Sequence, residues 1–334
     1  MDEMTGIKKA EMKMTRSYSI DMIIILAACA AVGTTLYGAR LLLTVFVSLA
    51  TALLTETAAS YIFRRSKPEM IGDLSDVVTG LIIALILPVS APVWMAAAGS
   101  FFAVACIKLP FGDAVTTPFV PAAAGGAFLS LCFKEFFFTY PSVNIGNKYA
   151  MTGTSGFVSG TSVAQMLDAS RSIGTTVIDV FDIFVGRVPG PAGATCLFVM
   201  IGGFLYLLMR RPKEWIVSAA FIATCSIMAV LFPRVLSGRS VSLLMEISSG
   251  LLFFSAVILL PDPATAPKSQ TGKVIYGFAA AVLTMLFRYF GGYEDGVLFV
   301  VLMMNAVSVP VDRLGNSIEQ KLAAKRSDEE EASV

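Results

Sequence analysis

The residues of this chain best suited to chemistry lie where proline interrupts long apolar runs. Asp262 follows a run long enough to cross a bilayer, and it stands between Pro261 and Pro263. Because proline removes a backbone donor and clashes with the preceding turn, a helix must break here. Freed carbonyls beside the Asp262 carboxylate and the Thr265 hydroxyl suit Na⁺ or a proton. The alternative role for Asp262 is to cap a helix at the membrane interface.

Two further polar side chains stand inside apolar runs. Glu56 lies in Leu54-Thr55-Glu56-Thr57, and Asn305 lies in Met303-Met304-Asn305-Ala306. A charge or amide in lipid is costly and is a functional candidate by default. Glu56 and Asn305 therefore join Asp262 and Thr265 as ion-pathway candidates, unless they only hold helices together by hydrogen bonds. Glu294 and Asp295 are expected to be interfacial and solvated.

Two proline knots share the pattern P-x-x-x-P. The first knot is 87–92, which closes the third apolar run, and the second is 262–267, which closes the eighth. Since five spans separate them, an odd number, the two knots enter the membrane from opposite faces. Broken helices at corresponding places in two halves indicate an inverted repeat and point to a binding site or pathway.

The composition is that of an integral membrane protein. Of the 334 residues, 56% are hydrophobic and only 15% are charged, which is too apolar for a soluble domain. The net charge of +1 argues against a nucleic-acid partner. There is no histidine, which excludes imidazole metal sites and histidine proton relays. The five cysteines are far apart and form no C-x-x-C, so we expect no metal site.

The elements that must position these residues are about ten transmembrane helices. A span needs about 20 residues, or fewer where it is broken. The predicted spans are 20–38, 41–62, 75–92, 94–109, 118–136, 192–209, 214–232, 241–261, 273–290 and 295–312.

Charge asymmetry gives an orientation. Most lysines and arginines lie at the ends of the chain and in the loops on the same side as those ends, so both termini are predicted to be cytoplasmic. The predicted organisation is an N-terminal tail, a five-helix bundle, an external loop, a second bundle and a C-terminal tail. Their bounds are 1–19, 20–136, 137–191, 192–312 and 313–334.

The external loop carries a segment rich in glycine, serine and threonine. It includes Ser159, Gly160, Thr161 and Ser162. A flexible loop is the simplest interpretation. The same residues offer hydroxyls beside glycines, where backbone amides can approach a phosphate closely.

Several motifs resemble the RnfD component of the Rnf electron-transport complex and its relative, the NqrB component of the Na⁺-translocating NADH:quinone reductase. They are the stretches 80–92, 108–112 and 117–129 in the first half, and 262–267 and 291–306 in the second. The resemblance covers roughly residues 20 to 315.

The resemblance implies an all-α membrane subunit of ten helices in two inverted five-helix bundles, within the inner (plasma) membrane. It implies FMN joined through its phosphate to a threonine of the external loop, in a D-x-x-S-G-A-T pattern, by a flavin transferase. It implies electron flow between ferredoxin and NAD⁺ coupled to Na⁺ or H⁺ transport. Partner membrane and peripheral subunits then carry the other cofactors.

The chain departs from the flavin pattern. The segment reads Ser159-Gly160-Thr161-Ser162-Val163, and the expected aspartate is Gly156. In strict register the acceptor is Ser162; after a one-residue slip it is Thr161. Ser159 and Gly160 complete the candidate cofactor-binding set.

A second group of departures concerns a noncovalent flavin. Two asparagines of an N-P-F-N-P-A segment are replaced by Thr117 and Val120, and an arginine by Gly126. These losses weaken either a second flavin site or helix packing. Two further functions stay open: a transporter or channel without a redox group, and a flavin-free assembly scaffold.

Overall fold

The fold is almost entirely α-helical. A computed structural model describes residues 2–63, 74–111, 117–142, 159–167, 180–235, 238–291 and 295–332. The helices are α1 Asp2–Tyr37, α2 Ala39–Phe63, α3 Ser75–Ile86, α4 Val93–Phe111, α5 Pro121–Cys132, α6 Lys134–Phe137, α7 Val180–Val185, α8 Leu197–Arg210, α9 Trp215–Leu231, α10 Arg239–Ser248, α11 Leu252–Leu259, α12 Gln270–Phe290, α13 Val297–Ala306 and α14 Ser308–Ala332. A further helical turn occupies 163–167.

Within those ranges, four helices are long and apolar enough to cross a membrane by themselves, namely α1 from Arg16, α2, α4 and α12. The bent pairs α10–α11 and α13–α14 raise the number to six. The shorter apolar helices are α3, α5, α8 and α9. Nine of the ten predicted apolar runs contain one helix or one bent pair, and the fifth run contains α5 and most of α6. The fold is that of a helical membrane protein.

The proline knots end helices as predicted. Helix α3 ends at Ile86 before the first knot, and α11 ends at Leu259 before the second. Two breaks were not predicted. The chain bends by 64° between α10 and α11, where Gly250 has φ +57°, and by 62° between α13 and α14. The predicted C-terminal tail is therefore mostly helix α14.

Two helices contain π-helical segments, in which hydrogen bonds span five residues instead of four. They are Ala103–Lys108 in α4 and Ser255–Leu259 in α11. Such segments add one residue per turn and are frequent at functional sites. Each lies in the half that carries one knot, the first after its knot and the second before it.

One continuous core joins both predicted halves. Buried side chains of α3 and α5 pack in the same cluster as those of α11 and α13. Small residues allow this close approach: a Cβ at Gly126 would lie 2.9 Å from Leu298 Cδ1. Gly277 likewise brings α12 against the backbone of α9, where a Cβ would lie 2.7 Å from the Val217 carbonyl oxygen. Such contacts replace hydrophobic burial as the main attraction between membrane helices.

Candidate functional site

The second knot forms a hydrogen-bonded turn around Asp262. Its carbonyl oxygen accepts from the Thr265 N–H at 3.2 Å and from the Ala266 N–H at 2.9 Å. The Thr265 hydroxyl donates to Asp262 Oδ2 at 3.3 Å. The structure therefore brings Asp262 and Thr265 together, as the sequence predicts, and the Asp262 carboxylate also accepts a hydrogen bond from the Ala264 N–H.

Asp262 opens onto a cavity of about 420 Å³. The wall is mainly apolar and includes Met22, Val78, Ile82, Val217 and Ile258. Its charged lining consists of Asp262, Glu214 and the lysines 108, 213, 268 and 273. The cavity thus lies between α1, α3 and α9 at the end of α11, and contains residues from both predicted halves.

Glu56 belongs to a buried charge cluster beside this cavity. Lys108 Nζ lies 2.7 Å from Asp76 Oδ1 and 3.9 Å from Glu56 Oε2, and all three side chains are nearly inaccessible. Lys108 is the last residue of the π-helical segment and also lines the cavity. It is 3% exposed, although a lysine near the end of an apolar run usually reaches solvent.

Asn305 holds helices together. With its amide oriented to satisfy all partners, it donates to the Tyr276 hydroxyl at 2.8 Å and to the Val301 carbonyl at 3.3 Å. It accepts from the Val120 N–H at 3.0 Å. These bonds tie α13 to α12 and to the start of α5. Of the two roles that the sequence left open, the geometry supports the hydrogen-bonding one.

The first knot has a different environment. The Leu87 carbonyl accepts from the Ala192 N–H at 3.2 Å, and the Ala91 carbonyl accepts from Arg40 Nη2 at 3.1 Å. Carbonyls freed by the proline break are thus already paired with protein donors. The two knots match in sequence, but only the second is associated with the cavity described above.

A second charge cluster was missed by the sequence. Glu246 accepts two bonds from Arg234, at 2.5 and 2.8 Å, and lies 3.4 Å from Arg288 Nη1. Asp295 lies 3.6 Å from Arg288 Nη2 and accepts from the Leu251 N–H. Asp295 is 4% exposed, so the expectation that it is solvated is wrong. Glu294 lies outside the described residues.

The candidate flavin loop is described from Ser159 to 167. Ser159 and Gly160 form a strand that pairs antiparallel with Tyr140–Pro141. Ser162 is buried, and its hydroxyl accepts from the Gln165 N–H at 3.1 Å while Gln165 Oε1 accepts from the Ser162 N–H at 3.2 Å. This reciprocal pair is a capping box at the start of the helical turn. Thr161, in contrast, is exposed.

This difference bears on how well the loop fits a phosphate-linked flavin. An attachment atom must be reachable by a modifying enzyme and leave room for the attached group. Thr161 is exposed, whereas the Ser162 hydroxyl is buried and engaged in the cap. Gly156 and the rest of 143–158 lie outside the described residues.

The second, noncovalent flavin fits less well. Thr117 and Val120 line the cavity in place of asparagines, so they supply one hydroxyl and no amide. The amide of Asn305 is bonded to the Val120 N–H and to Tyr276. The other uncharged polar groups of the cavity are hydroxyls, and no amide side chain lines it among the described residues. The polar edge of a neutral flavin ring would therefore lack the paired donors and acceptors that an amide supplies.

Sequence reasoning missed several residues of the cavity. Tyr18 and Ser19 reach it from the first turn of the α1 span, and Lys213 and Glu214 from the turn between α8 and α9. No spacing in the sequence relates these segments to Asp262. Only the packing of α1 and α9 around the end of α11 brings them together.

Known proteins similar to this chain are named as subunits of ion-translocating complexes. The family model described as "NQR2, RnfD, RnfE family" matches residues 9–318. Proteins named as the D component of an ion-translocating oxidoreductase complex are similar over most of their length. The one from Salmonella dublin is 28% identical, covering 87% of this chain and 90% of its own. The one from Halorhodospira halophila is 29% identical, covering 86% of each chain.

Proposed function

Since the chain belongs to the NQR2, RnfD, RnfE family, we propose that it is a membrane subunit of an Rnf-type ion-translocating ferredoxin:NAD⁺ oxidoreductase. The names of its relatives support a place in a multi-subunit complex that moves ions. The proposal includes other membrane and peripheral subunits as partners, FMN as the electron relay and Na⁺ or H⁺ as the transported ion. A flavin, when bound, supplies one- and two-electron chemistry.

We propose Thr161 as the attachment residue. The observation that carries this choice is the exposed Thr161 side chain next to Ser162, whose hydroxyl is buried in a capping box. Attachment forms a bond between Thr161 Oγ1 and the flavin phosphate. With a flavin dinucleotide as donor, the nucleoside monophosphate leaves and the hydroxyl proton passes to a base of the flavin transferase.

The ion pathway is proposed to pass the second knot. Asp262 and Thr265 offer oxygens at a helix break, and the cavity reaches Asp262 from one side. Glu56 is part of the adjoining cluster with Lys108 and Asp76. Asn305 is assigned to helix packing in this proposal, since its amide bonds to Tyr276 and Val120.

The ten-helix inverted repeat also belongs to the proposal. Its support is that Lys108 at the end of α4 pairs with Asp76 in α3, and Arg288 at the end of α12 pairs with Glu246 in α10. These are the fourth and third, and the ninth and eighth, of the predicted spans. The charge bias of the loops supports cytoplasmic termini and an external 137–191 loop in the plasma membrane.

The experiment is in-gel fluorescence of the denatured chain after co-expression with a flavin transferase. We expect the chain with its original sequence to be fluorescent and Thr161→Ala to lose the fluorescence. Ser162→Asn should keep fluorescence, because asparagine can still cap the helical turn although it lacks a hydroxyl. Thr139→Ala, which changes an exposed threonine elsewhere in the predicted external loop, is the matched control.

Two results would contradict the assignment. Fluorescence that persists in Thr161→Ala and disappears in Ser162→Asn would identify Ser162 as the acceptor. If the chain with its original sequence carried no flavin, that result would reject the redox function and favour a transporter, channel or scaffold of the same fold.

A further inference from the structure

We propose that the cavity at Asp262 binds an amphipathic anion, a phosphate head group on an apolar body, and that an anionic phospholipid is its occupant. The apolar body would lie against the wall formed by Met22, Ile82 and Ile258, and the head group at the lysines of the rim. This inference does not depend on a flavin at Thr161.

The first argument is the charge of the rim. Lys213 and Lys268 are exposed, and Lys273 Nζ donates to the Lys213 carbonyl at 2.8 Å, which holds the two segments together. Lys108 already pairs with Asp76, so three lysines face two acids, Asp262 and Glu214. Asp262 is held in the turn with Thr265, whereas the two exposed lysines are available to a head group.

The second argument is the position of the rim. Lys213 lies in the turn between α8 and α9, and Lys268 lies in the segment between α11 and α12. Both therefore stand where membrane helices end, at the depth of lipid head groups. Basic pockets between transmembrane helices are known to bind anionic lipid head groups.

The third argument is the nature of the wall. Most of the cavity surface is apolar, and position 120 is a valine. The cavity residues described include no asparagine or glutamine, and their uncharged polar groups are hydroxyls. This apolar wall suits acyl chains better than a heterocyclic ring whose edge needs paired amide donors and acceptors. The lysine rim supplies the polar recognition that the wall lacks.

The test uses tryptophan quenching in nanodiscs. The chain has two tryptophans, and Trp215 stands between Glu214 and Val217, which both line the cavity. In a Trp94→Phe background, Trp215 reports on the site alone. Brominated phosphatidylglycerol and brominated phosphatidylcholine are titrated separately into nanodiscs of unlabelled phosphatidylcholine.

We expect phosphatidylglycerol to quench Trp215 at a lower mole fraction than phosphatidylcholine. Lys213→Gln and Lys268→Gln should each reduce this preference about fivefold, since a lysine near an anionic surface contributes about 1 kcal/mol. Lys321→Gln/Lys325→Gln, which removes two exposed charges from α14, should leave the preference unchanged.

Competition identifies the source of the phosphate group. If FMN at micromolar concentration relieves the quenching, the cavity binds a phosphate on an apolar body, but the occupant is a soluble flavin. That result would overturn the lipid assignment. Equal quenching by both lipids, or a preference that survives Lys213→Gln/Lys268→Gln, would overturn the proposal. Relief by inorganic phosphate alone at constant ionic strength would show that no apolar body is required, and would also overturn it.

Discussion

Lys108 Nζ lies 2.7 Å from Asp76 Oδ1, in a buried ion pair that joins the π-helical segment of α4 to the first turn of α3. The wider turn of the π-helical segment sets the direction in which the Lys108 side chain leaves α4. A comparable pair, Arg288 with Glu246, joins α12 to α10. Each pair fixes the end of one helix against another helix, on either side of a proline knot.

Replacing Lys108 with methionine should destabilise the protein. The change leaves Asp76 and Glu56 as buried carboxylates without their ammonium, at a cost of about 3–5 kcal/mol. Thermal unfolding in detergent measures the loss, with Lys321→Met on the exposed face of α14 as the control. The double variant Lys108→Met/Asp76→Asn should cost less than the sum of the single changes; additive costs would show that the two groups are not coupled.

Gly250→Ala should also destabilise, for a local reason. Gly250 has φ +57°, and a Cβ at this position would collide with the Asp295 carboxylate. A non-glycine residue held in such a conformation costs about 1–3 kcal/mol before the collision is relieved. The matched control is Gly202→Ala, because a Cβ at Gly202 meets nothing within 4 Å. Equal melting temperatures for the two variants would contradict this account of the bend between α10 and α11.

Asp312→Asn should loosen the segment that follows the second knot. Asp312 Oδ1 accepts from the Lys268 N–H, the Ser269 N–H and the Ser269 hydroxyl at 2.7–2.9 Å. Hydrogen bonds to a charged group contribute about 1.5–3 kcal/mol, and the neutral amide weakens them. Hydrogen exchange of a peptide covering 266–273 should accelerate. Asn316→Ala, on the exposed side of α14, is the control and should leave the exchange rate unchanged. An unchanged exchange rate in Asp312→Asn would show that α14 does not hold this segment.

Asp262→Asn should reduce ion transport and leave the flavin in place. The carboxylate is the only charge within the helix break at 261–267, and losing a partner of a bound cation lowers affinity by about 10–100-fold. Sodium uptake or proton movement in proteoliposomes containing the whole complex measures the effect. Asp182→Asn, at an exposed ion pair with Arg187, is the control. An unchanged rate and ion dependence would exclude Asp262 from the pathway.

The architecture was largely predictable because its signals are local. Apolar runs of sufficient length predict the helices, and Pro88 and Pro263 predict the breaks, since a proline perturbs the turn that precedes it wherever it occurs. The turn of Asp262 with Thr265 was predictable for the same reason. The bend at Gly250 was not, because a single glycine in an apolar run gives only a weak signal.

The side-chain partners were not predictable in the same way. Lys108 and Arg288 both lie near the ends of apolar runs, where a charged side chain usually reaches solvent. Their burial depends on acids that lie 32 and 42 residues away in the chain. The prediction that Asp295 is solvated was wrong for a similar reason, because its burial depends on a contact with Leu251, 44 residues away. The sequence shows which residues are charged, but the packing of the helices determines which of them pair.

By itself, the sequence determined that this protein is a helical membrane protein with two proline-interrupted segments and a hydroxyl-rich loop, because hydrophobicity and proline act within a few residues. Tertiary structure alone decided that the second knot opens onto a lysine-rimmed cavity while the carbonyls of the first are paired with Ala192 and Arg40. It also decided that Thr161 is exposed and Ser162 is buried. These distinctions arise from contacts between distant segments, whose geometry depends on how the helices pack.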